Sequence, residues 1–194
     1  MPEQDLRALY QLLAKVALGT VMSREEALAM GELPAGRLAD LKKASWMIRR
    51  RAFGRAVTWC LQEEAAVIEL PVRPGQTWAE RVDALYAIRE RCRECASGCT
   101  VKVTVAEDED VELSEVIRLL CVAQFVWQGA VRLQVDPASG AERLREMLAA
   151  GADDVGVLTD PAVSRMTAFL AEELGLELAK RVAVSDRNRA GATE

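Results

Sequence analysis

The spacing of apolar residues predicts helices in the N-terminal part of the chain. Residues 3–18 repeat leucine and valine at helical spacing and so predict one helix with a single buried stripe. Ser23 is followed three residues later by Glu26, a capping box that predicts the start of a second helix. A third helix is predicted over residues 35–51. We therefore expect residues 1–54 to form a helical region that packs on the rest of the fold.

Beyond residue 55, short runs rich in β-branched residues alternate with helical segments. Strands are predicted over residues 55–61, 65–72, 99–106, 130–136, 153–159 and 177–185. Two of the intervening helices have predicted capping boxes, Thr77 with Glu80 and Ser139 with Glu142. Strands that alternate with helices through short connections predict parallel βαβ units and hence an α/β fold.

About six strands are too few for a closed eight-stranded barrel. The sequence therefore predicts a partial TIM-type barrel or an open parallel sheet. We expect residues 55–185 to form this α/β domain and residues 186–194 to be a disordered tail.

Composition excludes several classes of protein. Of the 194 residues, 51% are hydrophobic, yet no apolar run approaches the roughly 18 residues of a membrane span. The N-terminus lacks the pattern of a signal peptide, so a cytoplasmic location is expected. A net charge of −5 disfavours a broad nucleic-acid surface. We interpret the basic run Arg49, Arg50, Arg51 and Arg55 as a solvated helix end.

The cysteines allow two interpretations. The chain has five cysteines and no histidine, which removes the commonest general base and transition-metal ligand. Cys92, Cys95 and Cys99 could hold a cluster or zinc, with Cys121 or a carboxylate as the fourth ligand. They could instead be half-buried thiols at a helix end, which the packing of cysteine as a small apolar residue favours. Their helix-to-strand junction lies at the N-terminal edge of the predicted sheet, whereas ligands in α/β folds bind at the C-terminal edge.

Four other residues are candidate ligand-binding residues. Gln76 and Thr77 follow a predicted strand and precede a helix, where free N–H groups attract anions, although capping alone also explains Thr77. Asp153 and Asp154 are adjacent on a predicted strand, so their side chains should point to opposite faces and one could reach a pocket.

Three stretches occur in order along the chain. They are residues 16–60, which end in "RAVTWC"; residues 69–90, "ELPVRPGQTWAERVDALYAIRE"; and residues 144–160, "LREMLAAGADDVGVLTD". Together they resemble the radical S-adenosylmethionine enzymes of futalosine-pathway menaquinone and deazaflavin biosynthesis, namely aminofutalosine synthase, dehypoxanthine futalosine cyclase and the deazaflavin (FO) synthases. Residues 174–185 resemble the closing segment of that family.

The resemblance implies a truncated relative. Members of the family hold a [4Fe–4S] cluster and S-adenosylmethionine with a C-x-x-x-C-x-x-C loop after the first strand. Here the strand that ends at Cys60 continues into "LQEEAAVIEL", which has no cysteine. We therefore expect no cofactor and no radical catalysis, but a binding or accessory protein linked to menaquinone biosynthesis.

Two alternatives remain open. The chain could be an active iron–sulfur or metal enzyme that uses Cys92, Cys95 and Cys99, with a cluster and S-adenosylmethionine. It could instead be an unrelated small α/β binding domain, which would show a doubly wound strand order. In each case a small-molecule ligand is possible, and neither nucleic acid nor membrane is expected as a partner. An open sheet edge also predicts a second copy or a protein partner that covers it.

Overall fold

The computed structural model describes residues 3–61, 67–93, 99–105 and 111–181. Within these residues the predicted α/β fold is confirmed, with seven α-helices and six parallel strands. The helices are α1 (Glu3–Ala17), α2 (Arg24–Ala29), α3 (Leu38–Phe53), α4 (Trp78–Arg93), α5 (Leu113–Trp127), α6 (Ala141–Ala149) and α7 (Pro161–Glu173). The strands are β1 (Ala56–Cys60), β2 (Val67–Val72), β3 (Cys99–Val105), β4 (Val131–Gln134), β5 (Asp154–Val157) and β6 (Glu177–Lys180). The predicted tail over residues 186–194 lies outside the described residues.

The sheet is parallel and has the strand order β2-β3-β4-β5-β1-β6. Four successive strands are neighbours, as they are in a barrel, and β1 lies between β5 and β6. From β2 to β6 the chain always advances in the same direction across the sheet. The step from β1 to β2 crosses the sheet in the opposite direction, but neither common doubly wound order, 3-2-1-4-5-6 or 2-1-3-4-5, is present, so the order expected of an unrelated α/β domain is not observed.

The sheet is strongly curved but not closed. Arg181, directly after β6, donates from Nη1 to the Thr100 Oγ1 on β3 at 3.1 Å. In a flat sheet those two strands, four positions apart, would be about 19 Å from each other, beyond the reach of one side chain. No pairing joins β2 to β6 within the described part of the chain. The sheet therefore has a concave face and a convex face.

The convex face carries the apolar core. Successive parallel crossovers that advance in one direction are right-handed, so their helices lie on the same face. Val57, Leu70, Val101, Leu133 and Val155 are buried there in a single cluster with residues of the helices. Helix α5 is buried along most of its length because α3 packs against it from outside, while α2 contacts α4. The N-terminal helices thus form an outer layer over the helices that cover the sheet.

Local signals in the sequence set several helix ends. Both hydrogen bonds of the predicted Ser23 capping box are present, and Asp160 caps α7 through the amide of Ala162. The predicted box at Ser139 is wrong. The residue that precedes α6 is Gly140, which has a φ of 94° and makes no side-chain capping bond. Ser139 instead ends a short 3-10 turn and donates to the Asp136 carbonyl at 2.8 Å, so α6 begins two residues later.

The interpretation of the basic run is also wrong for one residue. Arg50, Arg51 and Arg55 are exposed. Arg49, also on α3, is completely buried where the helix packs against the start of β1. Its guanidinium donates to main-chain carbonyls at the strand beginnings, among them that of Ala56. None of the helices in the described ranges is both long and apolar enough to cross a bilayer.

Candidate functional site on the concave face

One row of side chains on the concave face is entirely polar. The pairing register aligns Glu69, Lys102, Gln134, Asp154 and Thr58 across five neighbouring strands. Since side chains alternate between the two faces of a strand, these five share a face opposite the apolar core. The concave face is therefore the candidate functional site.

Asp154 is the centre of a buried hydrogen-bond network on this face. Its Oδ2 accepts from the Thr58 hydroxyl at 2.5 Å, and its Oδ1 accepts from the Gly156 amide at 2.8 Å. Arg181 Nη2 lies 3.4 Å from the same Oδ1, and both side chains of this ion pair are almost completely buried. The carboxylate is thus held by hydrogen bonds and by a neighbouring cation.

Arg181 extends the network to β3 and adds a second contact with β1. Besides Thr100, it approaches the Sγ of Cys60 at 3.1 Å. Cys60 is buried at the end of β1 but belongs to this polar face, not to the apolar core cluster. A single side chain therefore links β1, β3 and β5.

Arg132 lies on the concave face near the N-terminal end of β4. Its Nη1 donates to Thr58 Oγ1 at 3.1 Å, and its guanidinium carbon lies 5.2 Å from the centre of the Phe53 ring. The side chain is half-buried. Arg132 is in register with Thr100 on the neighbouring strand, so the two side chains occupy the same level.

Gln134 carries an acceptor that has no partner. Its side chain is 2% exposed, and its Oε1 makes no hydrogen bond within the described structure. The amide lies over Gly156, where an added Cβ would come within 2.2 Å of Gln134 Nε2. Gly156 also has a φ of 65°, so both backbone conformation and space favour glycine.

Asp153 points away from this face, as its adjacency to Asp154 predicts. Its Oδ1 accepts from the Leu133 amide at 3.1 Å, while its Oδ2 is buried without a partner. Burial raises the pKa of Asp153 to about 8, although the nearby cations Arg132 and Arg49 oppose the shift. This carboxylate belongs to the layer between sheet and helices.

Gln76 and Thr77 lie in the turn after the edge strand β2. The Thr77 hydroxyl accepts from the Glu80 amide at 3.3 Å, and Glu80 accepts from the Thr77 amide at 2.7 Å, which confirms the predicted capping box. Gln76 accepts from the Arg73 amide at 3.4 Å. Strands β3 and β4 separate this turn from Asp154, so of the four predicted ligand-binding residues only Asp154 is part of the concave network.

The cysteine prediction is only partly covered by the structure, because Cys95 lies outside the described residues. Cys92 is half-buried near the end of α4, and Cys99 starts β3 in the apolar core cluster, with its Sγ 4.0 Å from the Cys92 carbonyl. Burial raises the pKa of Cys121 to about 12, and its thiol lies 3.7 Å from the Ala150 carbonyl. A metal-bound cysteine is a thiolate, so Cys121 is poorly suited as the fourth ligand.

Among the thiols in the described ranges only Cys92 and Cys99 are neighbours, which is fewer than the three or four thiolates that a [4Fe–4S] cluster needs. Cys60 lies at the C-terminal end of β1, Cys99 at the N-terminal end of β3 and Cys121 within α5. In the same ranges, no three side chains of the types that bind metal come together. The described residues therefore provide no site for a cluster.

Sequence reasoning missed most of the concave network. Four residues of the network are not among the candidates predicted from the sequence: Thr100, Arg132, Gln134 and Arg181. The first three lie in predicted strands, at polar positions that alternate with apolar ones. A strand buried on both faces reads as an unbroken apolar run. The alternation of polar and apolar residues in "TVKVT" and "RLQ" is therefore the sequence signal that indicates a polar face.

No protein-family model matches the sequence, and no curated protein is significantly similar to it. The crystal structure of methylornithine synthase (PylB) aligns with a TM-score of 0.33 and 16% identity. The alignment covers 87% of this chain and 58% of that chain, so this chain spans less than two-thirds of the enzyme's length. At this TM-score the alignment does not assign a function.

Proposed function

We propose that this chain is a shortened relative of the radical S-adenosylmethionine enzymes that binds a small polar ligand on its concave face without radical catalysis. The order of the three similar stretches supports the relationship. The segment between Cys60 and β2 contains no cysteine, which supports the loss of the family's cluster loop.

The polar row on the concave face is the observation that carries the binding function. Parallel sheets normally bury apolar side chains on both faces. Burying polar groups is costly unless they are hydrogen-bonded, so a polar face contributes little to folding. The network around Asp154 fixes Thr58, Arg181 and Gly156 in place, and a fixed set of polar groups is what a selective site requires.

The identity of the ligand is proposed from the resemblance alone. A quinone precursor or a nucleoside-like compound is the first choice, which would link the chain to futalosine-pathway menaquinone biosynthesis. We propose an accessory role in that pathway and propose no resident cofactor.

A second copy or a protein partner is proposed at the edge of the sheet. Strand β2 pairs with β3 on one side, and no described strand pairs with its other side. Unpaired edges tend to be covered by another chain. Light scattering coupled to size exclusion tests this part: a strict monomer with no partner would contradict it.

Nuclear magnetic resonance tests the binding function directly. We would titrate ¹⁵N-labelled protein with inosine and, separately, with benzoate, as a nucleoside and an aromatic carboxylate. Saturable amide shifts confined to β1, β3, β4 and β5 are expected. The variant Gln134→Leu should weaken them, while Gln11→Leu, an exposed change on α1, should not. Shifts located only on the helical layers would contradict the proposal.

The second candidate is a metal enzyme built on Cys92, Cys95 and Cys99. The 4.0 Å separation of Cys99 Sγ from the Cys92 carbonyl favours it, because two of the three residues are neighbours. Iron and sulfide analysis after anaerobic reconstitution separates the two candidates. About four irons per chain, lost in a Cys92→Ala, Cys95→Ala variant, would establish the enzyme; metal-free, folded protein would favour the binding protein.

A further inference from the structure

We infer that the ligand of the concave face carries an anionic group, a carboxylate or a phosphate, that binds to Arg132. This inference rests on the proposed binding function and specifies the chemistry of the ligand. The observations that carry it are the contacts of Arg132, the charges around it and the unused acceptor on Gln134.

Arg132 uses few of its donors. A guanidinium has five N–H donors, and within the described structure this one makes a single hydrogen bond, to the Thr58 hydroxyl. No described carboxylate oxygen lies within 4.0 Å of it. Asp153, which interacts with it electrostatically, is on the opposite side of the sheet. A half-buried guanidinium without an anion is unusual because partial burial favours pairing.

The position of Arg132 is fixed before any ligand binds. The Phe53 ring lies 5.2 Å from the guanidinium carbon on one side, and Thr58 holds one of its nitrogens. Stacking on an aromatic ring and one fixed hydrogen bond reduce the side-chain entropy lost on binding. The remaining donors form a planar fork, which matches the two oxygens of a carboxylate or phosphate.

The surrounding charges also favour an anion. The carboxylate of Asp154 is balanced by Arg181 at 3.4 Å, so it does not neutralise Arg132. Thr100 occupies the same level as Arg132 on the adjacent strand. Its oxygen accepts from Arg181, so its hydroxyl proton is a donor for an anion bound beside the guanidinium.

Gln134 indicates a second chemical feature of the ligand, a hydrogen-bond donor. It follows Arg132 by two residues on the same strand and therefore shares its face. Its buried Oε1 has no partner, and an unsatisfied buried acceptor is costly. A ligand with an N–H or O–H donor close to its anionic group would satisfy both residues at once.

The test compares anion binding in two variants with the same charge change. Inorganic phosphate, malonate and uncharged inosine are titrated at constant ionic strength into ¹⁵N-labelled wild-type protein, Arg132→Gln and Arg165→Gln. Arg165 is an exposed residue of α7, so its substitution controls for net charge. The backbone spectrum of each variant shows whether it is folded.

Saturable shifts of the Thr58, Thr100 and Gln134 amides with phosphate or malonate are expected in wild-type protein and in Arg165→Gln. The Arg132→Gln variant should bind at least about tenfold more weakly, the effect of losing one charged hydrogen-bonding partner. The better of the two anions identifies the anionic group. Equal binding by both variants would overturn the inference, and so would an absence of anion-induced shifts. If inosine alone shifts the concave amides, the inference fails and the binding function stands; if no probe of either experiment shifts them, both fail.

Discussion

Replacing Asp153 with asparagine should stabilise the protein at neutral pH. The native carboxyl is completely buried, accepts one hydrogen bond from the Leu133 amide and leaves its Oδ2 unpaired. Burial raises its pKa from 3.8 to about 8. Asparagine keeps an oxygen for the Leu133 amide and carries no ionisable group, so it removes the cost of charging this site.

The sign and size of the effect follow from linkage between protonation and folding. Because the folded-state pKa is raised, the contribution of Asp153 to stability is complete below about pH 4. It is then lost as the pH rises through the folded-state pKa near 8. Between pH 5 and pH 7 the unfolded carboxyl is ionised and the folded one is protonated, so the free energy of unfolding should fall by about 3 kcal/mol.

The composition of the chain leaves few other groups that titrate in this pH range. With no histidine, no other side chain with an ordinary pKa titrates between pH 5 and pH 8. Burial of Glu26 raises its pKa, but the hydrogen bonds from Ser23 and Lys15 together outweigh this effect and lower the pKa overall. Hydrogen bonds from Thr77 lower the pKa of Glu80, and the hydrogen bond from Arg24 lowers that of Asp83. Those groups contribute stability that is lost only at acidic pH. A slope above pH 5 therefore reports mainly on Asp153.

Urea unfolding followed by tryptophan fluorescence measures the slope. Wild-type protein and Glu172→Gln, which removes an exposed negative charge on α7, should lose stability in parallel from pH 5 to pH 7. Asp153→Asn should show a nearly flat profile and exceed wild type at pH 7.5. Parallel profiles for all three proteins, with unchanged urea dependence, would refute the reasoning that this carboxyl is protonated in the folded state.

Three further predictions concern residues that shape the fold. Thr77→Ala should lower the free energy of unfolding by about 1 kcal/mol and Ser139→Ala by much less, because only Thr77 caps a helix; equal losses in urea titrations would contradict this. Gly156→Ala should cost about 1–3 kcal/mol, since its Cβ would meet Gln134 Nε2, and the loss should shrink in a Gly156→Ala, Gln134→Ala double variant. Arg118→Met should lower the thermal midpoint and cost about 2–4 kcal/mol, because Nη1 donates to the carbonyls of three residues around the turn after α2; an unchanged midpoint would refute it.

Local sequence patterns predicted the elements well because each depends on nearby residues. The Ser23 and Thr77 boxes need only a hydroxyl and a glutamate three residues apart, and both form. Ser139 satisfies the same pattern but fails, since Pro137 starts a 3-10 turn and Gly140 adopts a positive φ before α6. The pattern therefore predicts a cap only where the preceding residues leave the backbone extended.

Long-range features were not available from local patterns. Arg49 looked like part of a charged helix end, but the packing of α3 against the strand beginnings buries it among main-chain carbonyls. Burial lowers its pKa to about 10, while Asp153 opposes the shift. Likewise, no local signal indicates that β1 pairs with both β5 and β6. Both facts depend on contacts between residues far apart in the sequence.

The concave face links the architecture to the proposed function. The contact between Arg181 and Thr100 is possible only because the sheet curves, and the same Arg181 balances the charge of Asp154. With Asp154 neutralised in this way, Arg132 is left as the guanidinium on the face without a described carboxylate partner. A flatter sheet would separate Arg181 from Thr100. The curvature that holds the network together is therefore also what shapes the electrostatics of the proposed anion site.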